Sequence, residues 1–173
     1  MSKFKFDQEY YLTNYNELNE YLKFMINDDS DKQIKYIFTN DSLFWRETEN
    51  GKEYSISPEL FIMFENDAVL RINYNFYSLM YVRYMWTQNL NIQEKEFNND
   101  SFKLDLDVKD ARIEGFEIER FSEEYEINPS SGIVRPDGGI YFKKITLNLS
   151  NGKKLCICAE GSESDGYCDI WTE

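Results

Sequence analysis

A chain of 173 residues is one ordinary domain's worth of protein and can bury a core without metal or disulfide staples. It carries 32 Asp plus Glu against 19 Lys plus Arg, a formal charge of -13, and no histidine. That excludes Ser-His-Asp and Cys-His nucleophilic sites and His-ligated metals, and the acidity argues against nucleic acid and anionic membrane as partners.

In chain order, the first ten residues hold two lysines, Lys3 and Lys5, with no apolar run behind them, so no signal peptide is expected. Leu18, Tyr21, Leu22, Met25 and Ile26 then recur at helical spacing. Asn14 followed by Glu17 forms a capping box, and 27–31 is a run of turn formers and charge, which predicts one helix over 15–27. Beyond it the period changes from 3.6 to 2. Asn40-Asp41, Asn50-Gly51, Asn66-Asp67 and Asn151-Gly152 each separate two apolar or aromatic runs, a hairpin signal because both central residues of a type I′ turn need positive φ. The implied strands are 34–39, 42–48, 53–57, 59–65, 69–75 and 78–86, with Ser57-Pro58-Glu59 also able to start a helix. The longest strongly apolar run, Leu60–Phe64, is too short to cross a bilayer. Residues 87–101 read as a polar connector with one helical turn. Phe102, Leu104, Leu106 and Val108 alternate as a strand, and Gly115 marks a bulge or bend in 112–121. Residues 129–132 and 135–139 form the longest loop.

With Asn151-Gly152 as a two-residue turn, Leu147 lies opposite Cys156 and Ile145 opposite Cys158, so the cysteines share the core face. A next turn over 161–165 sets Cys158 opposite Cys168 and Leu155 opposite Trp171. The expected fold class is mainly β (α+β): antiparallel hairpins and meanders forming a sandwich or partly open barrel, with one N-terminal helix. The expected organisation is a single domain over 1–173, with 87–101 as the place where it would subdivide.

Chemistry-bearing residues are few. Cys156, Cys158 and Cys168 could supply three thiolates to a metal, with Asp165 or Asp169 as fourth ligand, but free cysteine packs commonly in cores and that reading is preferred. Three clustered cysteines do not make a secreted disulfide framework, and a cytoplasmic location is expected. An EF-hand count with Gly166 sixth puts Thr172 at the twelfth position, where a Glu is needed, and fails. No catalytic, metal or cofactor residues are assigned. The densest acidic stretch, Glu114 to Glu126, interleaves acids with Phe116, Ile118, Phe121, Tyr125 and Ile127. It is either the solvated face of a strand or a surface for a basic partner, and Glu117, Glu119, Glu123, Glu124 and Tyr125 are the residues that would carry the second role. A small-molecule-binding domain, a carboxylate-based hydrolase and a structural interaction domain are the alternatives; a pocket with two converging carboxylates, one desolvated, would mark the hydrolase.

The Tyr/Phe/Asn-rich acidic composition resembles that of immunity proteins of bacterial polymorphic toxin systems. So does the closing run from Leu147 to Cys158 followed by Asp165 to Trp171, which is similar to a segment of small acidic proteins of low-GC bacteria. The resemblance covers about a sixth of the chain, contains no catalytic motif and transfers no residue roles. It implies a protein that binds and occludes a cognate toxin, without cofactor, nucleic acid or membrane.

Overall fold

Asn14 opens the helix as the spacing predicts: its Oδ1 accepts a hydrogen bond from the Glu17 N–H at 2.9 Å, satisfying one of the donors a helix start leaves without a partner. Helix α1 spans Tyr15–Asn27 and buries Leu18, Tyr21, Leu22 and Met25. Lys32, itself buried, donates to the Ile26 carbonyl at 3.1 Å, placing a cation where the helix carbonyls end. The computed structural model describes residues 2–12, 14–27, 32–39, 43–56, 59–74, 80–90, 102–120, 127–128, 133–134, 142–158 and 168–173. The turn at 40–41, most of the connector, and the loops at 129–132 and 135–139 lie outside them.

The rest is antiparallel strand. In chain order these are β1 (Glu9–Leu12), β2 (Ile34–Phe38), β3 (Leu43–Thr48), β4 (Gly51–Ile56), β5 (Glu59–Phe64), β6 (Ala68–Tyr74), β7 (Met80–Trp86), β8 (Lys103–Leu104), β9 (Ile113–Arg120), β10 (Ile127–Asn128), β11 (Ile133–Val134), β12 (Phe142–Leu149), β13 (Lys154–Cys158) and β14 (Cys168–Thr172). The first sheet runs β1-β7-β6-β5-β2-β8, the second β3-β4-β14-β13-β12-β9, and β10 pairs with β11. Neither six-stranded sheet closes into a barrel.

One core cluster draws on the helix and on one face of each sheet, from Phe4 through Tyr21, Leu70 and Tyr84 to Leu147, Leu155 and Ile170. A bulge between Ile34 and Tyr36 lets Ile34 and Ile37 both reach it. The first sheet is buried on its other face as well, where Phe38, Phe61, Met63, Val69, Met85 and Leu90 form a second cluster. Phe38 and Phe61 stack there at 4.7 Å. Burial on both faces is what the continuous apolar run of β5 encodes.

Three sequence expectations need correction. The alternating segment from Phe102 to Val108 joins the ladder only at Lys103 and Leu104. Leu106 N–H bonds to Leu104 C=O and Val108 N–H to Leu106 C=O, so successive three-residue γ-turns, each advancing the chain by two, reproduce the strand's period of 2 without a strand. β1, which the sequence did not announce, pairs with β7 from Glu9 to Leu12. The third correction concerns hairpin parity. The β5–β6 and β12–β13 hairpins have three-residue loops: Asp67 N–H bonds to Phe64 C=O at 3.1 Å, and Gly152 N–H to Leu149 C=O at 3.0 Å. In each, the third loop residue is left-handed, Asp67 at φ 65 and Gly152 at φ 83, and the preceding Asn is not. At the third site the turn residues are Glu49 and Asn50 rather than Asn50 and Gly51, because Thr48 pairs with Gly51; Gly51 alone is left-handed and begins β4.

The added loop residue shifts pairing by one. Ile145 lies opposite Ile157 and Thr146 opposite Cys156, not Leu147 opposite Cys156. Likewise Cys158 faces Asp169 and Cys156 faces Trp171, not Cys158 facing Cys168. A one-residue slip exchanges faces, so Cys156 and Cys158 point away from the core that Leu155 and Ile157 fill.

Candidate functional site

The outer face of the second sheet gathers what chemistry the described residues offer. Cross-strand partners share a face, so the register aligns one row as Glu119, Lys144, Cys158, Asp169, Ser55 and Phe44, across β9, β12, β13, β14, β4 and β3. A neighbouring row runs Glu117, Thr146, Cys156 and Trp171. Ser55 Oγ donates to Asp169 Oδ1 at 2.5 Å.

At the β9 side an open groove of about 280 Å³ is lined by Glu117, Glu119, Lys144, Thr146, Lys154 and Glu173. Glu117 and Glu119 are exposed, as the acidic-surface reading requires; Glu123, Glu124 and Tyr125 lie outside the described residues. The groove is not purely acidic, because Lys144 stands beside Glu119 in the register and Lys154 pairs along the backbone with Glu173. Its carboxylates are solvated, which suits an ion-pairing surface. A hydrolase of the two-carboxylate type needs one acid desolvated so that it holds its proton.

The thiols beneath are free and buried. Burial pushes the Cys156 thiol above its ordinary range, with Glu173 adding to the effect and Lys144, Thr146 and Lys154 opposing it. Burial pushes Cys168 up to about 12. Cys168 is on the core face and Cys156 and Cys158 on the other, so the three do not converge as one ligand set, and a Cys158–Cys168 bridge would have to pass through the sheet. Among the described residues no group of three or more Cys, Asp or Glu is placed to hold a metal ion. No described helix is long and apolar enough to cross a membrane.

Sequence reasoning missed the opposite edge. On β3, Phe44 is 60% exposed and Trp45 56%. Lys52 Nζ lies 4.7 Å from the Trp45 ring, and Arg46 pairs with Glu53 at 2.8 Å. The signal was present: two adjacent aromatics on one strand point to opposite faces, and the polar residues that follow them leave no second buried face to receive both.

The chain matches no family model, no curated protein and no solved structure in the three comparisons made.

Proposed function

We propose that this chain is an acidic protein-binding domain that neutralises a basic partner, in the manner of the immunity proteins its composition resembles. The observation that carries the reading is the exposure of Glu117 and Glu119 on a sheet edge in a chain of net charge -13. Such a field raises the rate of encounter with a cationic surface, and aromatic contacts retain the complex. A cytoplasmic location fits this role.

The test begins with affinity capture from the native host and mass spectrometry to identify the partner. Association is then measured for wild type and for a variant with Glu117, Glu119, Glu123 and Glu124 changed to Lys. The variant should associate several-fold more slowly at low salt. The difference should shrink near 0.5 M salt, where the Debye length is about 4 Å. Equal on-rates at low salt would remove the acidic stretch from the mechanism and leave it a solubilising surface.

A further inference from the structure

Among the described residues the two sheets have four edge strands, β1, β8, β3 and β9. Natural sheets blunt their edges because unpaired main-chain groups invite another strand. β8 is two residues long and β1 four. β9 is longer, but its pairing with β12 is broken by register shifts near both ends, and its outer face carries Glu117 and Glu119. β3 differs. Its register with β4 runs without a break from Leu43 opposite Ile56 to Thr48 opposite Gly51, and its middle residues Phe44 to Glu47 are all exposed.

We infer that β3 is a docking strand, and that its occupant is an extended, basic segment of a partner protein added antiparallel to the second sheet. The inference rests on the binding role proposed above and names the mode and place of contact. Strand addition takes its affinity from main-chain hydrogen bonds and its specificity from side chains on alternate faces. Phe44 on one face and Trp45 on the other supply an aromatic anchor for each. Charge selects the occupant: Arg46 is engaged by Glu53 and Lys52 by Asp105, while Glu47 and Glu49 are exposed along the strand and its turn. A second copy would bring another charge of -13 to this edge, whereas a lysine-bearing strand brings the opposite sign.

The probe is a synthetic, end-blocked decapeptide of alternating Lys and Val, titrated into ¹⁵N-labelled protein at 20 mM salt. Docking on β3 shifts the Leu43–Thr48 amides and slows exchange of alternate amides there at least fivefold. A Phe44→Ala/Trp45→Ala variant, whose fold is checked by circular dichroism, should bind at least fivefold more weakly. A peptide N-methylated on alternate residues should bind as weakly. Shifts confined to 113–120 would overturn the β3 assignment while leaving the basic-partner reading in place. No shift anywhere at low salt would overturn both. Concentration-dependent shifts on β3 without peptide would make a second copy the occupant and overturn the assignment to a basic partner.

Discussion

The two edges of the second sheet answer the same problem in different ways. β9 is held from beneath: Ile113 is buried, Phe116 and Ile118 pack against the core, and the helix lies against the strand. Its edge is bulged and lined with glutamates. Among the described residues, β3 has little beneath it beyond half-buried Leu43, and it forms one arm of a regular hairpin. A protected edge therefore costs this fold buried area and irregular pairing, while the regular edge is held mainly by its partner strand. An element held this way is suited to bind something else.

The largest expected contrast is in truncation. Ile113→Ala on β9 should cost about 2–4 kcal/mol, because it leaves a cavity in the core. Phe44→Ala on β3 should cost less than about 1 kcal/mol, since most of that ring is already in water. Equal losses in urea unfolding would show that β3 is as anchored as β9.

Next comes pH. Cys168 lies opposite Ile56, where β14 meets the β3–β4 hairpin, and its thiol is raised from 9.0 to about 12. Between those values the unfolded chain has released the proton and the folded chain has not, so stability falls as pH rises. The thiol's contribution is complete below pH 9 and is lost at up to about 1.4 kcal/mol per pH unit above it. Unfolding followed from pH 8 to 11 should show this slope, and Cys168→Ala should reduce it, leaving the smaller part that Cys156, also raised by burial, contributes in the same direction. Tyr36, Tyr54 and Tyr81, also raised by burial, will leave a residual slope above pH 10.

Glycine sharpens the comparison further. Gly51, the first residue of β4 after the turn, has φ 105 with open space where a Cβ would sit, so Gly51→Ala should cost about 1–2 kcal/mol through the backbone alone. Gly115, beside the β9 bulge, has no positive φ, and a Cβ there meets Asn148 at an ordinary 3.5 Å. Gly115→Ala should change stability by less than about 0.5 kcal/mol or raise it slightly. The smallest effect belongs to Arg46→Ala on β3. The pair with Glu53 is short, but Arg46 is 74% exposed, and a loss of about 0.5 kcal/mol or less is expected in the unfolding free energy measured by thermal denaturation.

Much of the fold is written locally. The helix stripe with its Asn14 cap, and the strands from Ile34 to Trp86, are signalled by period and by turn residues, and each forms close to where the pattern places it, β4 starting at Gly51, two residues earlier than expected. What the pattern does not encode is loop length at one-residue resolution. Asn66-Asp67 and Asn151-Gly152 mark where the chain turns, but a two- and a three-residue loop use nearly the same residues and differ in which one is left-handed. That difference moved the cysteines of β13 to the outer face and left their burial unchanged, since Cys156 and Cys158 are buried there too. The acids at Glu117 and Glu119 were legible as exposed strand positions. Their neighbours Lys144 and Lys154 were not, because only the register of β12 brings them alongside.

β14 lies between β13 and β4, so Ile170 has Ile157 on one side and Tyr54 on the other. The hairpin of residues 43–56 is thus synthesised more than a hundred residues before the strand that joins it to the second sheet. Until residues 168–172 emerge, β4 is an edge as well as β3, and Tyr54 and Ile56, fully buried at the end, have no strand beside them on that side. Folding on the ribosome should therefore finish the first sheet early and the second late. During that interval the hairpin offers two open edges, a period in which chaperone contact or mispairing has its best opportunity.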